Sequence, residues 1–390
     1  MMKVLKKIGA ACLLLGLLPL LGGCWDRTEV NDLALIMAAG LDVGQNGDIE
    51  LSVQVFTPSQ SGSEGSGGMG GSSGSDTIVV QSASGTDLAE AAAKLQEQMP
   101  RKVFWGHGEV FIIGERLAKQ GILDQIDFIF RHPQPRERAY VFISKGDAKK
   151  ILDIHPKMER DVAETLREMA ILPFGMNVSL KDLSEMLTGR SKAAVVPYIV
   201  QKEDNDGSPF PFISGAAVIK DGKLQGAFDD TAKRDTLLIL NKLKRTNVTF
   251  HVNERGGKGE GVMTARVIKG RTKLIPVIRG DRWSMIVRFE GEASILQNET
   301  RVNLMKPQEV RHVEEQMNRE IEKRIQATFR LIQRETGADV FGFSDAFWRK
   351  YPQTWVREQR HWDDIFQNVD LNADSKVEIL WPGFSGKSYK

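Results

Sequence analysis

Six histidines, two cysteines and 51 acidic residues are the groups in this 390-residue chain that could hold a metal, relay a proton or attack a carbonyl. The histidines, at positions 107, 132, 155, 251, 312 and 361, do not fall at metal-ligand spacing. His107 stands between Gly106 and Gly108, where a turn could present an imidazole. General-base work would also need a nucleophile brought from a distant part of the chain, so the plain reading is a turn histidine. Gly383 to Ser388 echoes a phosphate-binding loop, but only two residues separate its glycines where four are required, and it is rejected. Glu254 to Gly261 could form an anion-binding nest; a hairpin loop between strands is the simpler reading. With so many acids, a pair of carboxylates means nothing without geometry. The sequence indicates neither an enzyme nor a cofactor.

Cys24 is the residue with a definite chemistry. Lys3, Lys6 and Lys7 precede an apolar run, Ile8 to Leu21, and Gly22-Gly23 supply small residues before Cys24, the layout of an export signal. The run of 14 residues is shorter than the ~20 that a spanning helix needs. Leu21-Gly22-Gly23-Cys24 resembles the lipobox of bacterial lipoproteins, which implies removal of residues 1–23. It also implies an S-diacylglycerol on Cys24 and an acyl group on its new amino terminus. Each buried methylene is worth ~0.8 kcal/mol, so a diacylated cysteine anchors stably where one chain holds marginally. Cys12 leaves with the signal, so the mature chain has a single cysteine and cannot form an internal disulfide. Three of the 53 Lys and Arg residues leave too, so 50 basic residues face 51 acidic ones. That balance gives no support for a nucleic-acid partner.

The elements that must position these residues read as α+β. Leu33 to Leu41 is unbroken and apolar, as in a strand buried on both faces. After a turn at Asn46-Gly47, residues 49–55 alternate as in a half-buried strand. Residues 59–75 are Gly/Ser-rich and read as a flexible loop. Helices are predicted from Asp87, over Glu115 to Gln120, over 122–130, 147–152 and 159–169, and from Ser179 through Leu187, with strands near 78–80, 103–113 and 139–143. Strands and helices follow no regular βαβ repeat, which argues against a doubly wound sheet. Lys202 to Pro211 reads as a linker, so residues 24–201 are expected as an N-terminal region of one or two subdomains, 202–213 as linker, and 214–384 as a C-terminal α+β domain. In the latter, Asp221-Gly222 predicts a hairpin, 231–244 a helix, and 247–252, 262–268, 273–278 and 283–290 strands. Pro307 to Glu335 predicts a long amphipathic helix, and 376–380 a last strand.

Three segments together resemble the Ger(x)C family, the lipoprotein subunit of spore nutrient germinant receptors. They are Cys24-Trp25-Asp26 with Glu29 and Asn31 to Ala34; Gly106 to Gly121 with Asp127 to Arg131; and Asp339 to Phe343 with Lys350 to Pro352 and Trp362 to Asp364. Gly215 to Ile219 also matches the family's entry into its C-terminal domain. The resemblance implies a non-enzymatic subunit, lipid-anchored on the outer face of the inner spore membrane and needed for nutrient-triggered germination. It implies two integral membrane partners, a larger A-type subunit and a transporter-like B-type subunit. Cys24 carries over as the lipidation site; Trp25, Asp26, His107 and Trp362 carry over as motif positions without an assigned role.

Two rival readings stay open at this point. A solute-binding lipoprotein of a membrane transporter would show a cleft near 202–211. A cell-envelope hydrolase would place His107 in a pocket with a carboxylate and a nucleophile.

Overall fold

The computed structural model describes residues 30–57, 77–243, 245–253 and 260–381. Cys24, Trp25, Asp26, the 59–75 stretch, residues 254–259 and the 383–388 stretch lie outside these residues.

The apolar run at the start becomes β1 (Leu33–Val43), which lies in the middle of a mixed sheet and is buried along nearly all its length. Nine strands of the described residues build that sheet. β2 (Ile49–Thr57) and β3 (Thr77–Gly85) extend it antiparallel on one side. The short β4 (Lys102–Phe104) and then β5 (Val110–Gly114) pair parallel with β1, and β6 (Tyr140–Ser144) and β7 (Ala193–Glu203) continue in parallel. β8 (Pro209–Lys220) and β9 (Lys223–Asp229) return antiparallel to close the far edge.

Both faces of this sheet are covered, which is why its central strands need apolar residues at every position. Helices α1 (Leu88–Gln98), α2 (Glu115–Gln120) and α3 (Leu123–Arg131) pack on the face that carries Leu41, Phe111 and Ile143. Helices α4 (Ala148–Leu152) and α5 (Val162–Ile171) pack on the face that carries Ala38, Ile112 and Phe142. Helix α6 (Leu180–Thr188) starts from a full capping box, Ser179 with Asp182, and buries Leu180, Leu183 and Leu187 against the first face.

Two expectations change here. Of the polar residues that alternate along β2, Ser52 and Gln54 do not face water. Ser52 bonds Ser82 at 2.8 Å and Gln54 donates to the Leu152 carbonyl at 3.3 Å, both buried beneath α4. Residues 202–213 are not a linker. They are the ends of β7 and β8 and the turn between them, with Gly207 at φ 80° and the Asp204 carboxylate accepting from Asp206 and Ser208 N–H groups. The polar, Gly- and Pro-containing composition that suggested a linker is that of an exposed hairpin tip. β7 itself, AAVVPYIVQKE, carries Pro197 inside its apolar run and was not recognisable as a strand.

The second unit starts at α7 (Asp230–Ile239) and holds a four-stranded sheet, β10 (Thr246–Asn253), β11 (Glu260–Arg279), β12 (Arg282–Asn298) and β13 (Asp370–Trp381). The strands expected at 262–268 and 273–278 are one strand, bent by two irregularities between Thr264 and Lys269. The long helix forms as expected, α8 (Pro307–Thr336), and ends at Gly337 in the left-handed conformation. Its stripe of Val313, Met317, Ile321, Ile325, Phe329 and Ile332 is buried against the sheet. From the same helix Glu314, Asn318 and Glu322 accept from the N–H groups of Ile379, Val377 and Ser375 at 2.8–2.9 Å. The edge strand β13 is thereby closed to further pairing. Three short helices, α9 (Phe343–Lys350), α10 (Pro352–Glu358) and α11 (Trp362–Gln367), complete the unit.

Candidate functional site

The two motif positions that fall within the described residues have opposite environments. Trp362 is 4% exposed and sits among Trp355, Phe347, Phe366 and Trp283, with ring centroids 5.1–6.1 Å away. Edge and tilted contacts of this kind add about 0.5–1.5 kcal/mol per pair beyond the buried area. Its indole nitrogen has no partner among the described residues, so the position is held by packing. His107 lies on the surface in a 3-10 turn, Trp105–His107, its ring edge-on to Phe104 with centroids 5.9 Å apart. Glu109, the nearest carboxylate along the chain, is bonded to Arg167 at 3.2 Å. No group of three His, Cys, Asp or Glu among the described residues could hold a metal ion.

Three buried acids serve the fold. Asp42 accepts from the N–H groups of Ala148 and Lys149 at 2.8 and 2.9 Å and so caps α4 from the end of β1. Burial pushes its carboxyl up against the pull of those two donors. Asp339 accepts from Phe341, Phe343 and Ser344 N–H groups at 3.3, 3.0 and 2.7 Å, shaping the turn into α9, and burial raises it also. Asp235 meets Arg324 at 2.6 Å and Thr328 at 3.0 Å, which ties α7 to α8.

The two units are bolted along a seam. Arg190 bonds Asp345 at 2.6 Å and lies 3.7 Å over the Trp348 ring, while Lys220 reaches the Gly337 carbonyl at 3.2 Å and Asp363 at 2.5 Å. A cavity of about 260 Å³ lies in this seam, walled by α6, β7 and residues 339–345 and lined by Asp182, Glu185, Arg190 and Lys242. It is smaller than the ~300–1,000 Å³ usual for ligand sites. The stretch 202–211, where the solute-binding reading expected an interdomain cleft, is a hairpin of the first sheet.

A second cavity, of about 330 Å³, was not visible in sequence. Arg234, Arg245 and Arg266 surround it with Thr246 and Asn247, and Pro173 and Phe174 form its rim. The arginines come from α7, the residue before β10 and the middle of β11, so no spacing in the chain announces them. The one legible signal is Ile-Leu-Pro-Phe at 171–174, an apolar run after a helix, which stays 39–52% exposed at Ile171, Leu172 and Phe174.

Comparison with known proteins covers both units. Residues 26–201 match the family model described as "Spore germination protein N-terminal domain", and 214–383 that described as "Spore germination B3/ GerAC like, C-terminal". Spore germination protein KC of Bacillus subtilis is 28% identical over 96% of this chain and 95% of its own length. Spore germination protein A3 of the same organism is 26% identical over 98% and 99%. The crystal structure of the GerBC protein has the same fold, with a TM-score of 0.56 at 15% identity over 90% of this chain and all of that one. The order of the matched segments and the α+β architecture agree with these comparisons, and the chain belongs to the Ger(x)C family of spore germination proteins.

Proposed function

We propose that this chain is the membrane-tethered lipoprotein subunit of a spore nutrient germinant receptor, working by protein–protein contact. The observation that carries the reading is family membership over nearly the whole chain, with relatives named for spore germination matching end to end. The tether rests on the lipobox before Cys24. No described helix is long and apolar enough to cross a membrane. Under this reading the attachment is supplied by acyl chains on Cys24. The partners under this reading are the integral A-type and B-type receptor subunits, met at the outer face of the inner spore membrane. Nothing in the sites described calls for catalysis.

The test is membrane fractionation of spores carrying wild type or Cys24→Ala, with mass spectrometry of co-purifying proteins and a nutrient germination assay. The expected result is membrane retention with two polytopic receptor subunits for wild type, and release with impaired germination for the variant. Unchanged retention and germination of the variant would end the tether reading. Recovery of a permease and ATPase would replace the subunit reading with the solute-binding one.

A further inference from the structure

We infer that the arginine-lined cavity with its apolar rim is a docking site for the phosphate headgroup of an anionic lipid, set on the side of the molecule that faces the membrane. Arg234, Arg245 and Arg266 bring three guanidinium groups to a cavity of about 330 Å³. Among the described residues one carboxylate, Asp230, pairs with this group, and it is shared between Arg234 and Lys233. The Nε of Arg234 is buried and has no partner among the described residues. Among the described residues Arg266 donates to the neutral Asn247 side chain at 3.2 Å and has no ion pair, and Arg245 is exposed with no ion pair. A phosphate matches this set, because guanidinium forks bind its oxygens in pairs and an orphaned buried donor gains a partner.

The rim identifies the kind of phosphate. Pro173 and Phe174 line the cavity and Phe174 is 52% exposed, where a soluble anion would need no apolar neighbour. A lipid offers both, a charged headgroup above an acyl layer that takes up apolar side chains.

Placement agrees. β1, β5 and β6 run parallel, so their first residues share one sheet edge. The Arg167–Glu109 pair at 3.2 Å and the bond from Val141 N–H to the Val178 carbonyl at 2.9 Å put the end of α5 and the 171–178 turn at that edge. The chain enters β1 from the same edge, and Cys24 is six residues before Val30, within about 20 Å of extended chain. This last argument rests on the tether proposed above; the cavity and its rim do not.

The test uses the full mature chain with Cys24→Ala, so that no acyl chain takes part, in flotation with vesicles of equimolar phosphatidylcholine and phosphatidylglycerol or of phosphatidylcholine alone. Binding to the anionic vesicles and not to the neutral ones is expected. Arg245→Gln with Arg266→Gln, both on exposed side chains, should weaken it about thirtyfold, each charge near a membrane surface contributing about a factor of five. Phe174→Ser should weaken vesicle binding several-fold while leaving thermal stabilisation by inorganic phosphate unchanged. Vesicle binding that ignores the arginine and Phe174 variants would overturn the assignment. Arginine-dependent stabilisation by inorganic phosphate without vesicle binding would also overturn it, in favour of a free phosphorylated ligand. Failure of the tether would show separately, in the spore fractionation, since the vesicle assay contains no acylated protein.

Discussion

The two sheets of this protein solve burial differently. The first is covered on both faces, so Ser52 and Gln54 of β2 are enclosed and must find partners inside the protein. The second has α8 across one face only, and along β10 burial alternates residue by residue, Val248, Phe250 and Val252 inward, Asn247, Thr249 and His251 outward. A polar residue between two apolar ones therefore has opposite meanings in the two units. In the second it marks solvent, and in the first it marks a polar group enclosed in the interior.

The sharpest way to break this contrast is one substitution made in both places. Ser52→Lys, at a position with no exposure, should cost about 5 kcal/mol by burying an unpaired charge. Thr249→Lys, at the same place in the pattern of β10, should change stability by no more than about 0.5 kcal/mol. Equal effects in urea denaturation would show that the two sheets are not covered as described. Next in size, Phe329→Ala removes the ring that contacts Phe341, Phe343 and Phe366 and should cost about 4 kcal/mol in the same assay. A loss below 1 kcal/mol would mean that the single-faced core does not depend on this cluster. Asp42→Ala leaves two N–H groups of α4 without their acceptor inside the first unit, an expected loss of about 2 kcal/mol.

The smallest effect is one of sign. Asp42 is raised by burial, so its folded form holds a proton to higher pH than the unfolded chain does, and its contribution falls as pH rises above the ordinary carboxylate range. Glu90 at the exposed start of α1 is held down to about 2 by the Lys94 ammonium and the Thr86 N–H. Its contribution is complete above the ordinary carboxylate range and is lost as pH falls from about 4.5 towards 2. Thermal melts against pH should therefore show Asp42→Asn gaining on wild type as pH rises, and Glu90→Gln gaining as pH falls. Parallel curves would refute the assignment of one cap to the interior and one to the surface.

Much of the local structure was readable because its signals are local. Glu115–Gln120 before Gly121, the Asp221-Gly222 turn and the 3.6-residue stripe of α8 each depend on a few neighbouring residues. What was not readable depends on partners far along the chain. Ser52 and Gln54 look solvent-facing until α4 is folded over them a hundred residues later. The hairpin tip at 204–208 has the composition of a linker, since both are polar turns in water, and only the pairing of β7 with β8 tells them apart. For the sites the same rule holds. The proposal for Cys24 rests on the segment just before it, whereas Arg234, Arg245 and Arg266 meet only because distant segments of the chain converge.

The order of the strands also governs how the chain can be made. The first strand to be synthesised is β1, which finishes in the middle of the sheet with partners on both sides. Its parallel neighbours come from residues 102–114, and the far edge is not complete until residue 229. A growing chain thus carries an apolar strand with one side unpaired until residues 102–114 have been made, the kind of segment that pairs with other chains when left waiting. A chain stopped at residue 201, where the first family model ends, would still lack two strands and would leave β7 as an open edge. The first unit becomes a finished object only when the ribosome has passed into what the sequence assigns to the second.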